Sequence, residues 1–276
     1  MKNNYTVPKA FLILLLLWTS SNYFSAQNYQ ITYEVKFRPI KGNNTLVKEN
    51  MILKIVKDQS LFYSQNKAAI DSLVEQNNFK AAQATGSPLL RLKVFKHLSK
   101  NSCTVGGTFN QFKYWYNEKN PQFQGLKKHE NYKGYSTNEA YTDFGQRKWH
   151  ILYTTDIPIN DGPYIFSGLP GLVLKAESED GDYIFEMIAI KKIENTSTPE
   201  TYKENIKKEK LSQNIKDFIE DPASHRINFG NDFGDRFTYE FKGAKDQNYK
   251  ETNERIKGFI QKFNNYPDKN LPIITF

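Results

Sequence analysis

The sequence predicts a mainly β protein with some α, of α+β class: a curved, mostly antiparallel sheet meander with a few helices packed on one side. Three observations carry this. Aromatic residues make up 14% of the 276 positions, with 20 Phe and 17 Tyr, and aromatic and β-branched side chains suit a pleated, half-buried surface. Short apolar or alternating runs, separated by turn signals, follow one another through the first two thirds of the chain. Helical spacing stands out only in one early stretch and again near the end.

Taken in order, Tyr29 to Phe37 alternates strictly. Tyr29, Ile31, Tyr33, Val35 and Phe37 share one face, which is a half-buried strand ended by Pro39. Thr45 to Val56 and Leu61 to Ser64 continue as strands. From Asn66 to Ala84 the period changes. Ile70, Leu73 and Val74 fall on one helical face and Ala68, Ala69, Ala81, Ala82 and Ala84 favour helix, so a single helix is expected as a surface flap or lid. Strands resume at Leu89 to Leu98, Phe109 to Asn117 and Gln122 to Tyr132, with Gly106-Gly107 and Asn120-Pro121 as turns. Ala140 to Phe144 and Trp149 to Thr154 flank Gly145-Gln146.

Gly162 to Leu174 is the most constrained segment. Tyr164-Ile165-Phe166 and Leu172-Val173-Leu174 do not alternate with polar residues, so both read as strands covered on two sides. Pro170 presets φ and Gly171 tolerates φ > 0, which predicts a type II turn over Leu169 to Leu172. Asp180-Gly181 signals a hairpin that returns Tyr183 to Ile190 beside Leu172 to Ala176. Beyond Ile193, Asn195 to Pro199 reads as a linker. Leu211, Ile215, Phe218 and Ile219 lie at helical spacing up to Asp221-Pro222. Asp235 to Phe241 reads as a last strand, and Ile256, Phe259, Ile260 and Phe263 mark a helix over Tyr249 to Asn264.

Export is expected from the first residues. Lys2 and Lys9 supply a positive start, and Ala10 to Trp18 is an apolar run too short to span a bilayer. Cleavage after Ala26 leaves Gln27 first; cleavage after Ser21 is the alternative. Three segments follow: a signal peptide over 1–26, a β-rich domain over 27–195, and a C-terminal extension over 196–276 whose two helices pack on the core. No later run approaches membrane-spanning length. Removal of the signal lowers the net charge from +8 to +6, with acids and bases interleaved. That balance supports solubility and argues against a nucleic-acid partner. With Cys103 the only cysteine, an internal disulfide and a cysteine-based zinc site are excluded.

The motifs for chemistry are sparse. His97, His129, His150 and His225 are widely separated, and no H-E-x-x-H, G-x-S-x-G or P-loop occurs. No catalytic residue, metal ligand or cofactor is assigned. Glu177, Glu179, Asp180 and Asp182 read as a solvated hairpin tip rather than a calcium site, which needs six or more oxygens; Asn231, Asp232 and Asp235 read likewise. The charged run from Lys203 to Lys210 reads as a solvated helix face, with contact to anionic lipid as the alternative. Tyr114, Trp115, Tyr116 and Trp149 are the candidate ligand-binding residues, as an aromatic platform; core packing is the plainer role for them.

One stretch resembles a known family. Trp149, Tyr153 to Ile159, Asp161 to Phe166 and then Gly168-Leu169-Pro170-Gly171-Leu172-Val173 is similar to the signature of the GLPGLI family, signal-peptide-bearing proteins of Bacteroidota. Val173 stands where the name has isoleucine, and Ser136 where a cysteine often stands. Ile31 to Val35 is similar to the family's opening strand. The resemblance implies a location in the periplasm or on the outer surface of a Gram-negative cell, with some members encoded near TonB-dependent receptors, and implies no catalytic residue. The architecture expected by analogy is that of periplasmic lipoprotein-carrier half-barrels. The functional expectation is a non-catalytic binding or accessory protein. It would take an apolar or peptide ligand in the concave face of the sheet, or contact an outer-membrane TonB-dependent receptor. The alternatives are a hydrolase with a site assembled from distant residues, and a purely structural interaction module.

Overall fold

Alternation in the first run produces the strand it predicts: in β1 (Asn28–Phe37), Ile31, Tyr33, Val35 and Phe37 are buried on one face. The computed structural model describes residues 28–109, 112–194, 197–223, 247–261 and 263–271. The signal peptide expected over 1–26, the strand expected at Asp235 to Phe241, His225 and the Asn231–Asp235 cluster lie outside these residues. The chain continues with β2 (Val47–Val56), β3 (Gln59–Ser64), β4 (Leu92–His97), β5 (Ser102–Phe109), β6 (Phe112–Glu118) and β7 (Gln124–Lys128). β8 (Asn138–Phe144), β9 (Arg147–Thr154), β10 (Leu172–Ser178) and β11 (Tyr183–Ile193) complete one antiparallel open sheet. Four helices accompany it among the described residues: α1 (Gln65–Glu75), α2 (Phe79–Ala84), α3 (Lys208–Glu220) and α4 (Gln247–Gln261).

The strand order is β6-β5-β4-β3-β2-β1-β11-β10-β9-β8-β7. Two meanders therefore meet at the centre, where the first and last strands pair from Asn28↔Ile193 to Phe37↔Tyr183. The two edge strands, β6 and β7, are consecutive in sequence and joined only by residues 119–123. Such a link reaches at most about 20 Å, whereas eleven strands laid flat span about 48 Å. The sheet must curl until its edges approach. Lys208, the first residue of α3, marks the seam. Its Nζ lies 5.6 Å from the ring centre of Tyr116 on β6 and 5.4 Å from that of Phe144 on β8.

The curl encloses a filled core. Phe185 lies within 6.3 Å of the rings of Phe62, Trp149, Tyr164, Phe166 and Tyr183, measured between centroids. Leu211, Ile215 and Phe218 of α3 join the same cluster. The segment after α4 is docked by Arg147. Its guanidinium is buried, donates to Asp182 at 2.9 Å and to the carbonyl of Tyr266 at 2.9 Å, and also pairs with Asp180. The acidic hairpin tip thus grips an arginine and is not merely solvated.

Four further expectations change. Gly106-Gly107 is not a turn but the middle of β5, which was not anticipated. A Cβ on Gly106 would stand 2.1 Å from the Trp115 ring, and one on Gly107 2.6 Å from Tyr114 Oη, so the glycines admit the neighbouring strand's rings. The helix expected from Asn66 to Ala84 is broken in two by Asn77, which takes a left-handed φ of +59° that asparagine tolerates. Tyr164-Ile165-Phe166 is not a strand but part of a buried turn, with Tyr164 at φ +52°. Finally, the Gly171 amide donates to the Leu169 carbonyl at 2.8 Å, which makes a three-residue turn around Pro170 in place of the type II turn.

Gly171 has φ +151°, and a Cβ there would lie 2.0 Å from the Thr154 carbonyl oxygen. Backbone in β9 cannot yield, whereas the half-buried Trp115 ring can swing. We expect Gly106→Ala to cost about 1–3 kcal/mol, as overpacking does, and Gly171→Ala to cost more. Urea unfolding of the two variants checks the ranking; equal losses would refute it.

Candidate functional site

Register places one polar row on the inner face of the curl. Ser60 opposes Lys96, Lys96 opposes Cys103, and Cys103 opposes Glu118 across β3 to β6. In β4 the inward positions are Leu92, Val94 and Lys96, so a lysine stands where the alternation asks for an apolar residue. It is buried and paired: Nζ lies 2.5 Å from Asp161 Oδ1 and donates to the Gly162 carbonyl at 2.6 Å. Asp161 is wholly buried at the head of the turn that carries Tyr164 and Phe166. Its Oδ1 also accepts the Gly162 amide at 2.7 Å, while its Oδ2 has no hydrogen-bond partner among the described residues. At the other end of the row Glu118 pairs with Lys208, which lies 2.7 Å from Asp268.

Cys103 sits between the two ion pairs. Burial pushes its thiol up to about 12; Lys96 and Lys208 pull it down, while Glu118 and Asp161 add to the rise. At neutral pH it is a thiol, and the thiolate is the nucleophile. The row is thus built to hold charge in fixed places rather than to attack a substrate.

Above Cys103 and Glu118 an open depression of about 760 Å³ is lined by Asn101, Thr104, Asn117, Asn120 and Tyr202, among others. Asn120 donates to Asn101 Oδ1, and its own Oδ1 is buried with no hydrogen-bond partner among the described residues. Thr104 donates to Asn117 Oδ1 at 3.1 Å. Tyr202 stacks on Trp115 with centroids 3.7 Å apart. Glu118, Lys119, Lys203 and Glu204 share the lining with these amides and hydroxyls, and one aromatic pair flanks it.

The aromatic residues singled out from sequence do not form one platform. Tyr114, Tyr116 and Trp149 are 0% exposed, with Tyr114 and Tyr116 stacked at 6.3 Å and Trp149 packed 4.9 Å from Phe166. Trp115 faces the other way and alone adjoins the depression, through Tyr202. The hexapeptide Gly168–Val173 is buried except at Gly168 and Pro170. Lys96, Asp161 and Asn120 were not picked out from sequence. For Lys96 the signal existed, a charge at an inward position of an apolar alternation; Asp161 and Asn120 carried none.

Residues 57–175 match the family described as "Protein of unknown function (Porph_ging)". The match runs from β3 into β10 and includes Lys96, Cys103, Asp161 and the hexapeptide. No curated protein matches the chain. Two solved structures of PNGF-II, in the P21 and C2 space groups, align with 62% of this chain at 19% and 18% identity and TM-scores of 0.44 and 0.45. The chain spans 29% of each PNGF-II chain. A likeness at that level carries no weight for fold or function.

Removing one partner of a buried ion pair leaves the other uncompensated, at about 3–5 kcal/mol. Asp161→Asn should lose stability of that order in urea unfolding, and Lys96→Met with Asp161→Leu should recover most of it; a double variant no more stable than Asp161→Asn would count against the pairing. Iodoacetamide at pH 8 should label Cys103 slowly in the native protein and rapidly in urea, read by mass spectrometry; equal rates would mean the thiol is accessible.

Proposed function

We propose that this chain is an exported GLPGLI-type protein of a Gram-negative cell envelope, in the periplasm or on the outer surface, that works by binding rather than by catalysis. Its ligand is peptide-like, either free or a segment of an outer-membrane TonB-dependent receptor, and it lies in the depression beside β5 and β6. The early Lys2, Lys9 and Ala10–Trp18 pattern supports export. Among the described residues no helix is long and apolar enough to cross a membrane.

The observation that carries the binding site is Asn120 Oδ1, a buried acceptor without a hydrogen-bond partner among the described residues, in a depression lined by amides, hydroxyls and the charged Glu118, Lys119, Lys203 and Glu204. Buried acceptors call for donors, and the amide N–H of an extended peptide supplies one. The aromatic pair Trp115–Tyr202 offers an apolar flank for a side chain. An apolar ligand in the concave face is not retained, because Trp149, Tyr164, Phe166 and Phe185 occupy that face.

A second reading, an interaction module without a small ligand, is favoured by Val74 and Phe79, which are 42% and 56% exposed around α1 and α2. One experiment separates the two. The chain without residues 1–26 is screened against a peptide array that includes receptor-derived segments, with affinities from fluorescence anisotropy. Binding should fall at least about tenfold in Asn120→Ala, the loss of one to two hydrogen bonds, with the melting temperature unchanged. Peptides that bind Asn120→Ala as well as the parent would overturn the site, and a partner lost only in Phe79→Ser would favour the interaction module.

A further inference from the structure

The depression beside β5 and β6 has a charge as well as a shape. Two carboxylates and two ammonium groups belong to its lining, from Glu118, Lys119, Lys203 and Glu204. Both carboxylates are engaged. Glu118 Oε2 pairs with Lys208, and its Oε1 accepts the Lys119 amide at 2.9 Å. Glu204 Oε2 lies 2.5 Å from Lys207 Nζ. Lys119 and Lys203 are exposed, and neither has an ion-pair partner among the described residues. Lys208 also meets Asp268, so four lysines stand against three carboxylates. The charge left over is positive, and Lys119 and Lys203 carry it.

The backbone fixes where these two side chains start. Lys119 follows β6 directly. Lys203 stands between Tyr202, stacked on Trp115 with centroids 3.7 Å apart, and Asn205, whose backbone amide donates to the Trp115 carbonyl at 2.9 Å. Both lysines are thus tied to β6, and only their flexible stems remain free to follow an anion. Next to Lys119 comes Asn120, whose buried Oδ1 has no hydrogen-bond partner among the described residues. A donor is called for at Asn120 and an anion beside it. One peptide residue supplies both: its own N–H, and a carboxylate at the chain end or on its side chain.

We propose, resting on the peptide-binding reading above, that the ligand of this depression carries a carboxylate, held by Lys119 and Lys203 while the N–H of the same residue donates to Asn120 Oδ1. Capture of a carboxylate by fixed donors is a recurring mode of peptide recognition. A cationic ligand would have to displace Lys208 from Glu118 or Lys207 from Glu204, and would face two unpaired ammonium groups. A neutral ligand would leave both lysines in water without penalty, so the preference for an anion is graded. One exposed ion pair changes binding by about two- to fivefold, and salt screens it.

The test uses pools of fluorescein-labelled hexapeptides, random except at the last residue, titrated with the chain without residues 1–26 by fluorescence anisotropy. One pool ends in alanine with a free carboxylate, and three end as amides of alanine, aspartate or asparagine. In low salt the free-acid pool, the aspartate pool or both should bind about tenfold tighter than the two uncharged pools, the product of two exposed pairs. The advantage should vanish in about 1 M NaCl, where charges reach only about 3 Å. Lys119→Gln and Lys203→Gln should each remove about threefold of it, Lys119→Arg should keep it, and Lys54→Gln on β2 should leave it unchanged. Whichever charged pool wins tells a chain end from an acidic side chain, and either result supports the proposal. Pools that bind alike, or an advantage indifferent to both lysines, would overturn it. If they bind alike yet all weaken in Asn120→Ala, the peptide site stands and only the carboxylate falls; if no pool binds, or none responds to Asn120→Ala, both fall.

Discussion

A short link between the two edges of the sheet is the constraint from which the rest follows. Residues 119–123 cannot cross a flat eleven-stranded sheet, so the sheet curls, and curling creates a seam with no backbone ladder across it. Side chains close it. Lys208 sits over Tyr116 and Phe144 and between Glu118 and Asp268. Burial alone would lower the pKa of its ammonium, but the two carboxylates more than offset this and raise it. The free edge of β6 is satisfied by Asn205, whose amide imitates a strand: Oδ1 accepts the Trp115 amide at 2.8 Å and Nδ2 donates to the Lys113 carbonyl at 2.9 Å. The other edge, β7, is kept short, irregular in register and lysine-bearing, as exposed edges are when pairing with another chain must be avoided.

Curling also makes a volume that strands alone do not fill. The turn over Asp161 to Ser167 is tucked inside and brings Tyr164 and Phe166 against Phe185. Its position is fixed by Lys96 and Asp161. A buried ion pair gains little net stability over apolar residues of the same size, because both charges lose water. What it gives here is placement, since a turn without ladder bonds has few other means of registering against β4. Tyr33 adds one more tie by donating to the Val173 carbonyl at 2.7 Å.

Local patterns announced most of the strands, because alternation and Asp-Gly or Gly-Gln turns are written in neighbouring residues. They misled where a partner distant in sequence decides the outcome. Gly106-Gly107 looks like a turn until Trp115 and Tyr114 are seen to need the space. Tyr164-Ile165-Phe166 is apolar enough for a covered strand, yet it is covered as a turn. Asn77 breaks a helix whose alanines favour continuity. The candidate sites were less legible still. Lys96 was visible as a misplaced charge, but its partner lies 65 positions away. Lys119 and Lys203 meet at one depression only because the segment before α3 lies against β6. The aromatic residues chosen from sequence were chosen by type, and type does not say which side of a strand faces water.

The reactive groups of the inner face are enclosed. The thiol is buried and held protonated, the inward lysine is engaged by a carboxylate, and Tyr114, Tyr116 and Tyr164 are enclosed where burial pushes their hydroxyls far above the ordinary range. A nucleophile or general base needs reach to a substrate, and burial denies it to these groups. The groups around the depression differ in kind: amides, hydroxyls and charged side chains together. Amides discriminate by hydrogen-bond direction and charged groups by sign, so the two together read both the shape and the charge of what meets them.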